Sequence, residues 1–418
     1  MTDYTLPRPR LTPGSVPPPV MTSDPATFAG RTLRVRLPAI LQEAIELNRQ
    51  TLPCDAVNEL DALRAELISG TLRPLHEKTP DRWFWDAACA PHTGYSWAQL
   101  PWYFAEAYFY RRILEATGYF QAGPLSGVDP FGAKKQAEWA RDAAPAAVER
   151  VLGTMPEGCT TRLERLIHAS LWGNRTDLSY HVAAHLGRHD GSRDERHNLL
   201  ADDTPVALSA LRRKSQCCAL LADNAGTELL LDLALLDALL AEGQVDRAEL
   251  HLKPQPLFVS DAMPTDVWDG IRALEGGGQL GQALADRINR WISVERLTLV
   301  THWHYASSLP HYQMPRDLHE RLARCDLVFV KGDANYRRLL GDAEWPETTP
   351  FAAALRYFPA QVLAMRTLKG GVVIGLTVEQ ARRLDQEDQQ WRENGQRGVI
   401  QHAPGCEGCS VEVAQNLS

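Results

Sequence analysis

Between Leu33 and Asn198 the apolar positions recur mostly at helical spacing. Ile40, Leu41, Ala44 and Leu47 share one such stripe, and Leu100, Phe104 and Tyr108 another, within an aromatic-rich stretch. The texture changes near Pro205. Short β-compatible runs then alternate with helical stretches: Gln216–Ala222 precedes Thr227–Leu240, and Leu327–Val330 precedes Asn335–Leu340. Further short runs lie at Ala248–Leu252, Phe258–Ser260, Leu297–Thr301, Val362–Met365 and Val372–Gly375. Such alternation predicts a mainly parallel central sheet covered by helices on both faces. The chain therefore divides into a helical domain over 31–205 and an α/β domain over 206–403. Residues 1–30, rich in Pro, Ser and Thr, are expected to be disordered, and 404–418 a flexible tail.

The 418 residues can build two or three domains, and 44% hydrophobic with 23% charged residues is an ordinary globular balance. A net charge of −8 and a pI near 5.9 argue against nucleic acid or an anionic membrane as partner, while leaving room for a local basic pocket. No run approaches the roughly 20 apolar residues of a membrane span. Prolines interrupt Met1–Pro19 where an export signal needs an apolar core, so a cytoplasmic protein is expected. Eight scattered cysteines make no disulfide framework and suit a reducing compartment. Cys406 and Cys409 form a lone CxxC in a Pro/Gly-rich tail, without the second pair that zinc needs, and are expected to be inert. Oligomeric state is not legible.

In a parallel sheet, ligands bind beyond the carboxyl ends of the strands. The residues that follow each apolar run are therefore the informative ones. Leu220-Leu221-Ala222 leads into Asp223-Asn224-Ala225-Gly226-Thr227-Glu228, and Leu257-Phe258-Val259-Ser260 into Asp261. Val328-Phe329-Val330 leads into Lys331-Gly332-Asp333-Ala334-Asn335-Tyr336-Arg337, and the run from Val362 ends in Arg366-Thr367-Leu368-Lys369. Asp and Asn oxygens are hard ligands that suit Mg²⁺, Mn²⁺ or a similar ion. Lys331, Arg337 and Lys369 could neutralise phosphate oxygens. Gly332 would let backbone approach a ligand, and the helix from Asn335 would add amide donors. Taken singly, each Asp or Asn could just cap the next helix. Convergence of acids, amides and cations on the ends of one sheet favours a site.

Other patterns carry less. Gly276, Gly278 and Gly281 spell GxGxxG, but after a helical stretch instead of a strand, which predicts a loop. His181, His185 and His189 lie four apart without a carboxylate partner and read as a solvated face or helix end. His302 and His304 would share the face of a strand and could line a pocket, without being ligands. Trp83, Phe84, Trp85, Trp97, Trp102, Tyr108 and Tyr110 read as packing, not base stacking.

At the strand-end residues the chain resembles the damage-control phosphatase family, in the branch marked by an RTxK signature and also known as the acidic-residue methyltransferase group. Arg366-Thr367-Leu368-Lys369 matches that signature. Asp223–Gly226 with Glu228 is similar to the family's DNAGxE block, Phe258–Asp261 to its FVSD block, and Lys331–Arg337 to its KGDxNYR block. Pro101-Trp102, Glu106 and Tyr110-Arg111-Arg112 resemble its PW…E…YRR helix. Leu171–Asn174, Asp177 and Leu178 resemble its LWGNxxDL segment, and Gly398–Gln401 its closing stretch. The resemblance implies a helical domain on a three-layer α/β/α domain. It also implies divalent-metal-dependent (Mn, Ni, Co or Mg) hydrolysis of small phosphomonoesters, in this branch sugar phosphates such as fructose 1-phosphate. By position, Asp223, Asn224 and Asp261 would bind the metal. Lys331, Asp333, Asn335, Tyr336, Arg337 and Lys369 would hold the substrate, and Asp223, Asp261 and Glu228 would carry the chemistry. Leu250 and Leu257 replace the aromatic and Trp that the family has around its His-Pro segment, which bears on pocket shape.

The same residues leave the attack open between water and an aspartyl-phosphate. The rival readings are an S-adenosylmethionine-dependent carboxyl methyltransferase and a non-catalytic sugar-phosphate-binding protein. The first has no use for an Asp, Asn, Asp cradle, and the second predicts binding without turnover.

Overall fold

The computed structural model describes residues 6–7, 9–11, 14–76, 78–140, 143–155, 158–173, 198–211 and 215–406. Seven strands form one sheet: β1 Leu199–Asp202, β2 Ser215–Leu221, β3 Val245–Leu252, β4 Leu297–Thr301, β5 Leu327–Lys331, β6 Gln361–Thr367 and β7 Gly398–Ala403. Their order is β1-β7-β6-β5-β2-β3-β4, and neighbours are parallel except β6 and β7. From β2 the chain adds β3 and β4 on one side, then returns to lay β5 and β6 on the other. The order therefore reverses between β2 and β5, and a crevice opens beyond their carboxyl ends.

Alternation along the strands explains the layers. In β2, Cys218 and Leu220 face one core while Cys217, Ala219 and Leu221 face the other. The first core takes helices Ala143–Gly153, Cys159–Trp172, Thr204–Leu211, Thr227–Ala241, Pro264–Glu275 and Gln279–Ser293. The second takes helices Arg316–Leu322 and Gly332–Leu340 with the segment around Phe351–Phe358. Every residue from Glu228 to Leu240 is buried, so helix Thr227–Ala241 is enclosed on all sides and its run of leucines needs no polar face. Each of its three acids has a partner: Asp237 has Arg287 and Trp291, Asp232 has Ser170 and Lys331 on Oδ1, and Glu228 has Lys331.

A third core belongs to the amino-terminal helices, where Trp85, Trp97, Tyr108 and Phe109 pack among Leu41, Leu60 and Leu63. These aromatics are packing, as their spacing implied; Trp83 alone of the group is exposed. Among the described residues no helix is long and apolar enough to cross a membrane.

Several expectations change. The boundary near residue 205 cuts through packed structure, because β1 joins the sheet and the helices over 143–172 belong to the first core. The described part of residues 1–30 is bound: the Val20 amide donates to Asp342, and the buried Thr22 hydroxyl donates to Trp97 and Leu100. Val372–Gly375 is loop, not strand, since β7 supplies the strand that pairs with β6. Phe258–Ser260 is a turn, with Phe258 at φ 52°. His302 and His304 sit on a turn of 3₁₀ helix after β4, not on a strand. Cys406 is disulfide-bonded where an inert tail was expected. Cys409, His181, His185, His189, Asn174, Asp177 and Leu178 lie outside the described residues.

Candidate active site

The crevice between β2 and β5 gathers most of the strand-end residues. Asp223 and Asn224 leave β2, and the chain after β3 folds back beside them. The Ala225 amide donates to Ser260 (2.7 Å) and the Ala262 amide to Asp223 (2.8 Å), so Asn224 and Asp261 face each other as an isolated antiparallel bridge. The turn that achieves this holds Phe258 in the left-handed region, a strain of about 1 kcal/mol for a residue with a Cβ. Its ring is gripped by Tyr110 at 5.1 Å and Tyr103 at 6.1 Å, both from helix Trp102–Ala116. That helix thus fixes the loop that presents Asp261. Lys135 adds a second tether, donating to the Asp261 carbonyl at 2.8 Å.

From β5, Gly332 has φ 84°, and a Cβ there would overlap the Asp223 carboxylate. Glycine is required for this approach. The Asn335 amide donates to the carbonyls of Ala222 (3.1 Å) and Lys331 (2.9 Å), stitching the two strand ends together. Asp333 accepts from Arg366 Nε at 2.8 Å and from the Lys369 amide at 3.1 Å. Burial alone would raise the Asp333 pKa, but Arg366 and Arg337 outweigh it and hold the carboxylate ionised. Lys369 itself is exposed at the rim.

Three residues expected at the substrate are built into the walls. Lys331 is fully buried and donates to Ser170 (2.8 Å), Glu228 (2.9 Å) and Asp232 (2.8 Å), which uses all three of its N–H groups. Arg337 is clasped by Glu106 at 2.6 Å and by both oxygens of Asp342, with its guanidinium 3.5 Å from the centre of the Trp102 ring. Tyr336 donates to Gln401 and lies under Arg366. Any substrate contact by these side chains would have to displace an existing bond. Glu228 spans two groups, accepting from Lys331 and, at 2.9 Å, from the Asn224 amide.

The remaining centre is short of positive charge. Burial, then Glu228 and Asp261, push the Asp223 carboxyl well above its usual range, with Lys253 and Lys369 opposing. Burial lifts Asp261 to about 6 against the pull of Lys253. Asp261 Oδ2 is buried and makes no well-formed hydrogen bond; its nearest cation, Lys253 Nζ, lies at 3.3 Å.

A family model described as the damage-control phosphatase ARMT1-like domain matches residues 32–384. The chain belongs to this family. Relatives named damage-control phosphatase ARMT1 are 29% identical in Danio rerio, covering 93% of this chain and 97% of that protein. The Bos taurus relative is 30% identical, covering 92% and 98%. A DUF89 family protein of Pyrococcus horikoshii superimposes with a TM-score of 0.49 at 13% identity, over 88% of this chain and 96% of that one. Family membership gives the chain a metabolite phosphatase role.

Among the described residues no three His, Cys, Asp or Glu side chains converge as a ready-made metal cage. The donor set in this damage-control phosphatase is two carboxylates and an amide, all hard oxygen donors once the amide presents its oxygen. Asn224 now directs Nδ2 to Asp223 (2.7 Å) and Glu228, while Oδ1 accepts from Ser260. The Ser260 hydroxyl can accept as readily as donate. A half-turn of the amide therefore keeps that bond and puts oxygen beside Asp223. With the loosely held Asp261 oxygen and the mutual repulsion of Asp223, Glu228 and Asp261, these residues fit a hard divalent cation.

Sequence reasoning missed Lys253, Lys135, Ser260 and Asp232. Lys253 was within reach, because it directly follows the run Ala248–Leu252 and so obeys the strand-end rule. Lys135 and Asp232 sit inside helices and gave no such signal.

Proposed function

We propose that the protein is a divalent-metal-dependent phosphatase of small phosphomonoesters, with sugar phosphates such as fructose 1-phosphate as substrates, acting in the cytoplasm. The observation that carries this reading is the cluster of Asp223, Asp261 and Asn224 at the switch point of the sheet, with a buried carboxylate oxygen whose nearest cation stays at 3.3 Å. The RTLK segment supports the sugar-phosphate branch. Asp223, Asn224 and Asp261 would hold Mn²⁺, Ni²⁺, Co²⁺ or Mg²⁺. When bound, the ion would polarise a phosphoryl oxygen and make a water nucleophilic near neutral pH.

The chain's own residues supply positioning. Glu228 orients the Asn224 amide, and Lys331 fixes Glu228. Asp333, held by Arg366, and the exposed Lys369 stand at the mouth, where a sugar hydroxyl and a phosphate oxygen would arrive. Asn335 and Gly332 keep the two strand ends close enough for one ligand to meet both. Phosphoryl transfer asks for little more than such positioning and charge neutralisation.

The test is phosphate release by metal-stripped protein with Mg²⁺, Mn²⁺, Co²⁺ or Ni²⁺ restored, over a panel of sugar phosphates and p-nitrophenyl phosphate. Release that depends on metal and disappears in Asp223→Ala is expected. Absence of release with every metal would overturn the reading.

A further inference from the structure

We propose that Lys253 is a substrate-binding residue: the buried ammonium that meets the phosphoryl group while holding Asp261 in place. The inference rests on the phosphatase reading above.

Three lysines are buried among the described residues, Lys135, Lys253 and Lys331. Two are saturated. Lys331 has its three acceptors at 2.8 to 2.9 Å. Lys135 has the Asp261 carbonyl at 2.8 Å, and Asp266 and Asp129 at 3.0 Å. Lys253 differs: its ammonium lies 3.3 Å from Asp261 Oδ2 and 3.5 Å from Asn335 Oδ1. Both are longer than the roughly 2.8 Å of a good charge-assisted hydrogen bond. An ammonium has three donors, so Lys253 has capacity left over.

The slack is not looseness of the chain. The Lys253 amide donates to the Ala262 carbonyl at 2.9 Å, which pins its backbone to the loop that carries Asp261. The side chain is 3% exposed, so bulk water does not satisfy it. A rigidly mounted, buried and under-bonded cation beside the loosely held Asp261 carboxylate and its repelling neighbour Asp223 is what an anionic ligand and a metal would complete together. Hydrolysis of a phosphomonoester forms a bond from phosphorus to water oxygen, breaks the bond to the sugar oxygen, and moves one water proton to that leaving oxygen. Lys253 gives up no proton in that exchange. It opposes the negative charge on the phosphoryl oxygens, an effect that burial strengthens. Lys369, exposed at the rim, supplies the second cation whose charge reaches Asp223.

The test uses the full chain with Mn²⁺ and inorganic phosphate as probe, read as inhibition of turnover and as a phosphate-induced rise in melting temperature. Lys253→Met is expected to weaken phosphate binding roughly 10- to 100-fold and lower kcat/KM at least as much, with Mn²⁺ binding retained. If Lys253 merely neutralises Asp261, Lys253→Met will bind Mn²⁺ as well or better and show unchanged phosphate inhibition; that result would overturn the proposal. Should Lys253→Met not fold, Lys253→Gln keeps a donor for Asp261 and carries the same comparison. A wild-type protein that neither turns over nor binds phosphate would instead overturn the phosphatase reading itself.

Discussion

Two corners of one crevice behave in opposite ways. At Lys331, Glu228, Asp232 and Ser170, the cation's three donors each meet an acceptor at ordinary hydrogen-bond distance. At Asp223, Asp261 and Lys253, the ammonium has acceptors only at 3.3 and 3.5 Å and two carboxylates repel each other. Both corners are made of acids around one lysine, and each has a buried carboxylate oxygen outside any hydrogen bond, Asp232 Oδ2 and Asp261 Oδ2, so composition does not separate them. Saturation of the lysine does: Lys331 has acceptors at 2.8 to 2.9 Å, Lys253 only at 3.3 and 3.5 Å. The first corner is a frame that holds the second in a state only a ligand can complete.

The comparison predicts how the corners respond to mutation. Asp223→Ala should lower metal-restored phosphate release by about a hundred- to a thousandfold, while the metal-free protein melts no lower than the wild type, because a repelling buried charge is gone. A large fall in melting temperature would place Asp223 in the frame instead. Lys331→Met should do the reverse. It leaves Glu228 and Asp232 buried without their cation and should cost about 3–5 kcal/mol in urea unfolding, with or without metal.

Gly332→Ala tests how closely the corners approach. The added methyl meets the Asp223 carboxylate at a positive φ, so metal affinity and activity should fall together and stability by about 1–3 kcal/mol. Normal Mn²⁺ binding in that variant would mean the strand ends can part.

Outside the crevice, His304 and His311 share a hydrogen bond of 3.2 Å, and burial holds both well below the usual imidazole range. Both are neutral in the fold, whereas the unfolded chain takes protons below about pH 6.5. The unfolded state then binds more protons, so stability is full above that pH and falls as pH drops beneath it. Urea midpoints at pH 7.5 and 5.5 should differ in that direction, and the slope should flatten in a His304→Leu, His311→Leu variant. The smallest effect on stability is expected for Lys369→Ala. Its side chain is exposed, so unfolding should change by under about 0.5 kcal/mol, yet KM should rise roughly tenfold. An unchanged KM would remove Lys369 from the site.

The sequence by itself determined the layered α/β architecture and the place of the crevice. Period-2 and period-3.6 patterns are local, and ligands gather at strand ends for topological reasons that hold for any parallel sheet. It also picked out Asp223, Asn224, Asp261, Asp333, Asn335 and Lys369 as residues of that place. It did not divide the cations. Lys331 and Arg337 looked as available as Lys369 because most of their partners lie far along the chain: Asp232 and Ser170 for one, Glu106 and Trp102 for the other, with only Asp342 nearby. Nor did it foresee that Phe258–Ser260 would turn, since the rings that hold Phe258 come from another helix. Only the tertiary structure decided which charges were spent and which were left, because saturation depends on groups the sequence keeps apart and the fold brings within 3 Å.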